Sequence, residues 1–310
     1  MANASPGGQR DVKITKSNDL VSAELKTLNK NVGDIFGADA VFLRAPMRFG
    51  VDDAVRHEIE ELRSLDQTHN KLVVILETTG GFIEVVERIY SVLRKHYEVV
   101  DFVVPNYAYS AGTVLVLSGD AIYMDYYSVL GPIDPQYENE AGELVPGMGY
   151  LSKYKELLAE INLAAAQTPP RTTDAELAYL IKKFDPAKLF AIEQACAHAE
   201  SLLKAWLPKH KFKNWTVTET NQQAVTPEMR EARASQIATT LGNPERWNSH
   251  GRGIGLRDLD SEEIKLKVND FGQDADMVKA IRGYYELFVD FCGKLQLTAA
   301  LHSQRGHRRV

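Results

Sequence analysis

The chain has 310 residues, 44% of them hydrophobic, two cysteines and a formal net charge of −6. That length suits a full α/β core with an appended helical region, and the acidic balance gives no basic surface for nucleic acid. No run approaches the roughly 18 apolar residues of a membrane span, and residues 1–16 are polar without an apolar signal-peptide centre, so a cytoplasmic protein without a membrane span is expected.

Residues 1–37 read as a polar, partly ordered leader in which Leu20, Val21, Leu25 and Leu28 allow one amphipathic helix. The core is expected over residues 38–150. It opens with a strand at residues 41–43 and a helix at residues 51–65. Two βα units follow. Residues 72–76 run into Glu77-Thr78-Thr79-Gly80-Gly81, after which Val85, Val86, Ile89, Tyr90 and Leu93 recur at helical spacing. Residues 99–104 run into a loop ending at Tyr109-Ser110-Ala111-Gly112-Thr113, with the apolar residues 114–117 behind it. Both strands are continuous Val/Ile/Leu runs rather than alternations, which marks parallel strands buried on both faces.

Residues 129–133 add a short strand, and residues 151–247 form a helical region broken at Thr168-Pro169-Pro170 and at Asp185-Pro186, with an exposed loop at residues 167–173. Residues 248–310 complete the core with a late helix and strand, then a terminal helix at residues 274–297. Ile281, Tyr284, Tyr285, Phe288 and Phe291 are its apolar stripe, read as core or subunit contact. Residues 305–309 form a short basic tail expected to be disordered. Cys196 and Cys292 lie far apart in helical patterns and read as buried thiols rather than a disulfide or metal site. No cofactor is expected.

The two glycine-bearing turns carry the chemistry. Gly80-Gly81 lets the backbone take positive φ and leaves amide N–H groups free at the start of a helix, which suits an oxyanion hole. Ser110 is placed at an exposed strand-to-helix turn, where a hydroxyl meets the positive end of the helix dipole. Ala111 and Gly112 are small enough to admit a carbonyl. Glycine turns are common in α/β folds, and a serine at a helix start is more often an N-cap than a nucleophile. The pair, one βα unit apart and in this order, carries the functional expectation.

Thr78-Thr79-Gly80-Gly81, Tyr109-Ser110-Ala111-Gly112-Thr113, Gly119-Asp120-Ala121-Ile122-Tyr123-Met124 and Ser128-Val129-Leu130-Gly131-Pro132-Ile133-Asp134-Pro135-Gln136 resemble the serine dehydrogenase proteinase family. That family stands with the Clp protease subunit, signal peptide peptidase A and the crotonases. The likeness covers residues 41–154, with a weaker echo at residues 251–259. It implies an α/β fold of the Clp protease/crotonase type, a stacked ββα superhelix with additional helices. It also implies a homo-oligomer and a serine peptidase acting on peptide or protein substrates. By position, Ser110 becomes the nucleophile, and the amides of Gly80 and Ala111 the oxyanion donors.

The general base is less direct. Where the Clp subunit carries its histidine, this chain reads Gly131-Pro132-Ile133-Asp134-Pro135, so a Ser-His-Asp triad does not carry over. Signal peptide peptidases use a lysine, whose amine must be desolvated to be neutral near pH 7. Lys153 and Lys155 lie 43 and 45 residues beyond Ser110 on a helical pattern. Lys153 is favoured because Leu157 would partly desolvate it. His250 is the alternative base. A second class also fits: a non-hydrolytic acyl-thioester binder of crotonase type, or an inactive scaffold that keeps the cradle without a base.

Overall fold

Both faces of the central strands are apolar because both are covered. The computed structural model describes residues 16–65, 68–133, 136–138, 144–166, 178–179, 182, 184–247, 249 and 251–310. Its first half comprises α1 (Ser17–Phe36), β1 (Asp39–Arg44), α2 (Val51–Leu65), β2 (Lys71–Glu77), α3 (Ile83–His96), β3 (Val99–Val103), β4 (Tyr107–Ala108), α4 (Ala111–Leu117), β5 (Ala121–Met124) and β6 (Val129–Leu130). There follow β7 (Gln136–Glu138), β8 (Leu144–Pro146), α5 (Gly147–Ala165), α6 (Pro186–Lys209), α7 (Pro227–Leu241), α8 (Pro244–Trp247), α9 (Leu256–Leu259) and β9 (Asn269–Asp270). The chain closes with α10 (Ala275–Lys294), β10 (Ala300–Ser303) and β11 (Gly306–Arg309).

Seven strands form one sheet in the order β11-β10-β1-β2-β3-β5-β9. Strands β1, β2, β3, β5 and β9 run parallel, and the β10–β11 hairpin joins the β1 edge antiparallel. Successive side chains leave a strand on opposite faces. Val41, Leu43, Leu72, Val74 and Leu76 accordingly join the core with α2, α3 and α4. Ala40, Phe42, Val73 and Ile75 join a second core with Leu25, Val32 and Phe36 of α1 and with Ile281, Tyr284 and Phe288 of α10. The α/β class and the parallel sheet are as the strand runs imply.

Helix ends follow their residues. Asp274 Oδ1 accepts the amides of Asp276 and Met277 to start α10, and Asp185, followed by Pro186, accepts the Ala187 amide to start α6.

Three expectations are corrected. The basic residues 305–309 are not a disordered tail: they make the turn and edge strand of the β10–β11 hairpin. The reason is charge. Glu58 of α2 is buried, and Arg305 and Arg308 reach it at 3.5 and 3.9 Å. Consequently α10 is not terminal. The late helix and strand shrink to α9 and the two-residue β9. The loop expected at residues 167–173 lies outside the described residues, as do residues 1–15. Cys292 is buried and Cys196 half-buried, and neither stands in a disulfide.

Candidate active site

The two turns lie against each other at the C-terminal ends of β2 and β3. Backbone bonds lock them: Thr78 N–H donates to Tyr107 O at 3.1 Å and Tyr109 N–H to Thr78 O at 3.0 Å. On the other side, Met47 N–H donates to Gly80 O and Phe82 N–H to Met47 O, both at 2.8 Å. Gly80 and Gly81 take φ +87° and +145°, values only glycine adopts without strain. A Cβ on Gly80 would stand 2.5 Å from Tyr109 O, 2.8 Å from Ser110 Cβ and 3.3 Å from Ala111 N. The structure therefore brings Gly80, Ser110 and Ala111 together.

Ser110 has φ 54° and ψ −121°, a conformation that costs a non-glycine residue of order 1–3 kcal/mol. It precedes α4 yet makes no side-chain cap bond to it. Backbone bonds cross the helix start, with Gly112 N–H on Tyr109 O and Thr113 N–H on Ser110 O, each at 2.9 Å. That disposes of the N-cap explanation for the serine. The residue is not on an exposed turn, as expected, but 6% exposed, because α4 is a buried helix with the loop folded over its start.

Two further expectations change in their physics. The Gly80 amide is not free: it donates to Thr78 Oγ1 at 3.0 Å, the side-chain turn that a threonine makes two residues before a donor. Gly112 is small for a packing reason, since a Cβ there would lie 2.2 Å from the Thr78 methyl. Gly131, within the motif at residues 128–136, is likewise pressed on the nucleophile loop, where a Cβ would meet Tyr109 Cδ1 at 2.5 Å. Buried Thr113 pins the same loop. Its hydroxyl lies 2.8 Å from Ala108 O and 2.9 Å from Gly131 O, and accepts the Gly131 amide at 3.0 Å.

The desolvation expected of Lys153 is not found. Its side chain is 56% exposed and its Nζ donates to Glu156 Oε2 at 2.9 Å. That bond and the Glu156 charge raise the amine's pKa, the opposite of what a neutral base needs. Leu157 is only half-buried. Lys155 is exposed as well. His250 and Asp134 lie outside the described residues. Burial lowers the pKa of Lys211 to about 8 and that of His210 to about 4. Both lie near Asp120, at the start of β5, whereas Ser110 stands at the opposite end of the sheet.

Sequence reasoning missed the residues that hold the turns in place. Glu77, 3% exposed at the end of β2, accepts from Arg44 Nε at 2.8 Å, from Asn106 Nδ2 at 3.1 Å and from Tyr285 OH at 2.5 Å. Arg282 donates to Pro105 O at 2.6 Å and pairs with buried Asp125. Asp125 in turn accepts from the Ser128 amide at 3.2 Å and hydroxyl at 2.9 Å. The available signal was a carboxylate closing an otherwise apolar strand, which must find donors when buried.

Residues 49–147 match the ClpP-like SDH-type serine proteinase family. The resemblance read from the motifs is thus borne out over the segment that holds both turns. Two uncharacterized proteins of Methanocaldococcus jannaschii are 41% identical over 63 residues (20% of this chain, 22% of the relative) and 35% identical over 79 residues (25% and 27%). The chain spans only about a quarter of these curated relatives. Solved structures with a likeness include a mutant of the membrane-bound stomatin-specific protease 1510-N with a substrate peptide, at 20% identity and TM-score 0.31, covering 40% of this chain and 59% of that one. The ClpP catalytic domain of Plasmodium falciparum gives 12% identity and TM-score 0.29, covering 39% and 63%. Superpositions of that quality assign no residue. Among the described residues no helix is long and apolar enough to cross a membrane.

Proposed function

We propose that this chain is a serine peptidase that hydrolyses peptide bonds through an acyl-enzyme on Ser110. One observation carries this: a serine held in a strained backbone conformation against a glycine turn, with its hydroxyl not used to cap the helix it precedes. The family match over residues 49–147 supports it.

In the proposed reaction Ser110 Oγ attacks the scissile carbonyl carbon and gives its proton to the base. The carbonyl oxygen becomes an oxyanion facing the Gly80 and Ala111 amides. Collapse expels the amine, which leaves with the proton, and water repeats the sequence on the ester. Gly80 must exchange the Thr78 hydroxyl for the oxyanion, and the exchange is favourable because a charged acceptor makes a bond roughly twice as strong. The exposed Phe49 and Phe82, ring centroids 5.1 Å apart beside Gly81, offer the substrate an apolar surface. A cytoplasmic homo-oligomer is the proposed working form.

Lys153 stays the proposed base on one condition: its deprotonation in the working assembly must release the bond to Glu156, and its amine must be desolvated. The condition has a pH signature. Glu156 stabilises the protonated amine, so Glu156→Gln should shift the activity–pH profile toward lower pH, because the neutral amine then forms earlier. Lys153→Met should be nearly inactive and Lys155→Met mildly impaired. An unmoved profile with an active Lys153→Met and an inactive His250→Ala transfers the role to the histidine.

A fluorophosphonate probe tests the whole proposal. Stoichiometric phosphonylation of Ser110 upholds it. A correctly folded protein that the probe does not label, yet which binds an acyl-thioester, belongs instead to the non-hydrolytic class.

A further inference from the structure

We propose that α10, which lies outside the family-matched residues, is a positioning helix for the Ser110 loop. The inference rests on Ser110 as the nucleophile. Residues 104–110 must hold a strained serine with only the two-residue β4 as regular structure. The start of that loop is gripped from α10 by side chains three residues apart, hence on one helix face. Arg282 Nη1 donates to Pro105 O at 2.6 Å, and Asn106 Nδ2 donates to Tyr285 OH at 2.8 Å.

The Tyr285 hydroxyl then donates to Glu77 Oε2 at 2.5 Å, and Asn106 Nδ2 reaches the same oxygen at 3.1 Å. Glu77 immediately precedes Thr78 of the glycine turn, and Asn106 leads into the serine turn. One phenol hydroxyl therefore ties the oxyanion and nucleophile turns together. Arg282 adds a second path through Asp125 and Ser128 to β6, the strand paired with β4.

The strut is itself anchored, because Ile281, Tyr284, Phe288 and Phe291 bury α10 on the sheet and Arg44 balances the charge of Glu77. A strained conformation persists only where its surroundings over-determine it. Rates fall steeply when reacting groups move by a fraction of an ångström to an ångström.

The test compares Tyr285→Phe and Arg282→Lys with Tyr284→Phe in the full chain. The Tyr284 hydroxyl bonds to Asn29 and His302 in the buried core and touches neither turn, so its loss reports stability alone. Three quantities are read: fluorophosphonate labelling rate against probe concentration, melting temperature, and amide exchange over residues 104–112. Tyr285→Phe and Arg282→Lys should lower the maximal labelling rate roughly 10- to 100-fold, with the half-saturating concentration unchanged and exchange faster in the loop. Tyr284→Phe should lower the melting temperature at least as much yet label at the wild-type rate.

Wild-type labelling by both α10 variants would overturn the proposal, as would equal slowing by Tyr284→Phe. If the wild-type chain itself does not label, the peptidase reading falls and exchange decides alone. Faster loop exchange in Tyr285→Phe but not in Tyr284→Phe upholds the strut, and unchanged exchange ends it.

Discussion

Ser110→Ala is expected to lose peptide hydrolysis by roughly 10⁴-fold or more, and all fluorophosphonate labelling, while remaining folded. Removing the nucleophile deletes the step that the rest of the site serves. The stability cost should be small, about 1 kcal/mol for a buried hydroxyl, because no helix cap is lost. Ser110→Gly makes a sharper statement. Glycine tolerates φ 54° where alanine does not, so the glycine variant should be inactive but more stable than the alanine variant, by about 1 kcal/mol in denaturant unfolding. Such an inversion would mean that strain is held at the serine for the sake of activity. Wild-type turnover in Ser110→Ala would remove Ser110 as nucleophile and the peptidase proposal with it.

What the sequence makes legible here is what depends on neighbours along the chain. Continuous apolar runs identify β2 and β3, because strands covered on both faces need no polar alternation. The meeting of Gly80 with Ser110 follows from consecutive parallel strands, whose C-terminal turns must lie side by side. The Thr78 hydroxyl on the Gly80 amide was local too, and a threonine two residues ahead of the glycine is the sign to look for.

Contacts between distant segments were not legible. Tyr285 sits in the apolar stripe of α10 and reads as core, yet its hydroxyl serves Glu77, 208 residues away in the chain. The surroundings of Lys153 turn on the same thing in reverse: a leucine four residues along shields an amine only if a third element covers both. Among the described residues none does, and Glu156 takes the amine instead. The basic segment at residues 305–309 looks solvated until buried Glu58 is placed beneath it.

Gly80→Ala should damage activity and stability together. The added carbon would lie 2.5 Å from Tyr109 O, a backbone atom that cannot swing aside, and 2.8 Å from Ser110 Cβ. It would also sit at φ +87°. Relief requires the two turns to separate, which withdraws the Gly80 amide from the oxyanion position and moves the serine at once. A loss of 10²- to 10³-fold in turnover is about what removing one oxyanion donor costs, and displacement of Ser110 should take the loss beyond it. Gly50→Ala separates strain from collision, since Gly50 has φ +100° with nothing within 4 Å of its Cβ position. That variant should lose about 1 kcal/mol and keep full activity. Gly80→Ala should lose at least twice as much in the same unfolding titration. If the two variants are equally stable and both label at the wild-type rate, the turns do not touch as described, and the oxyanion is held elsewhere.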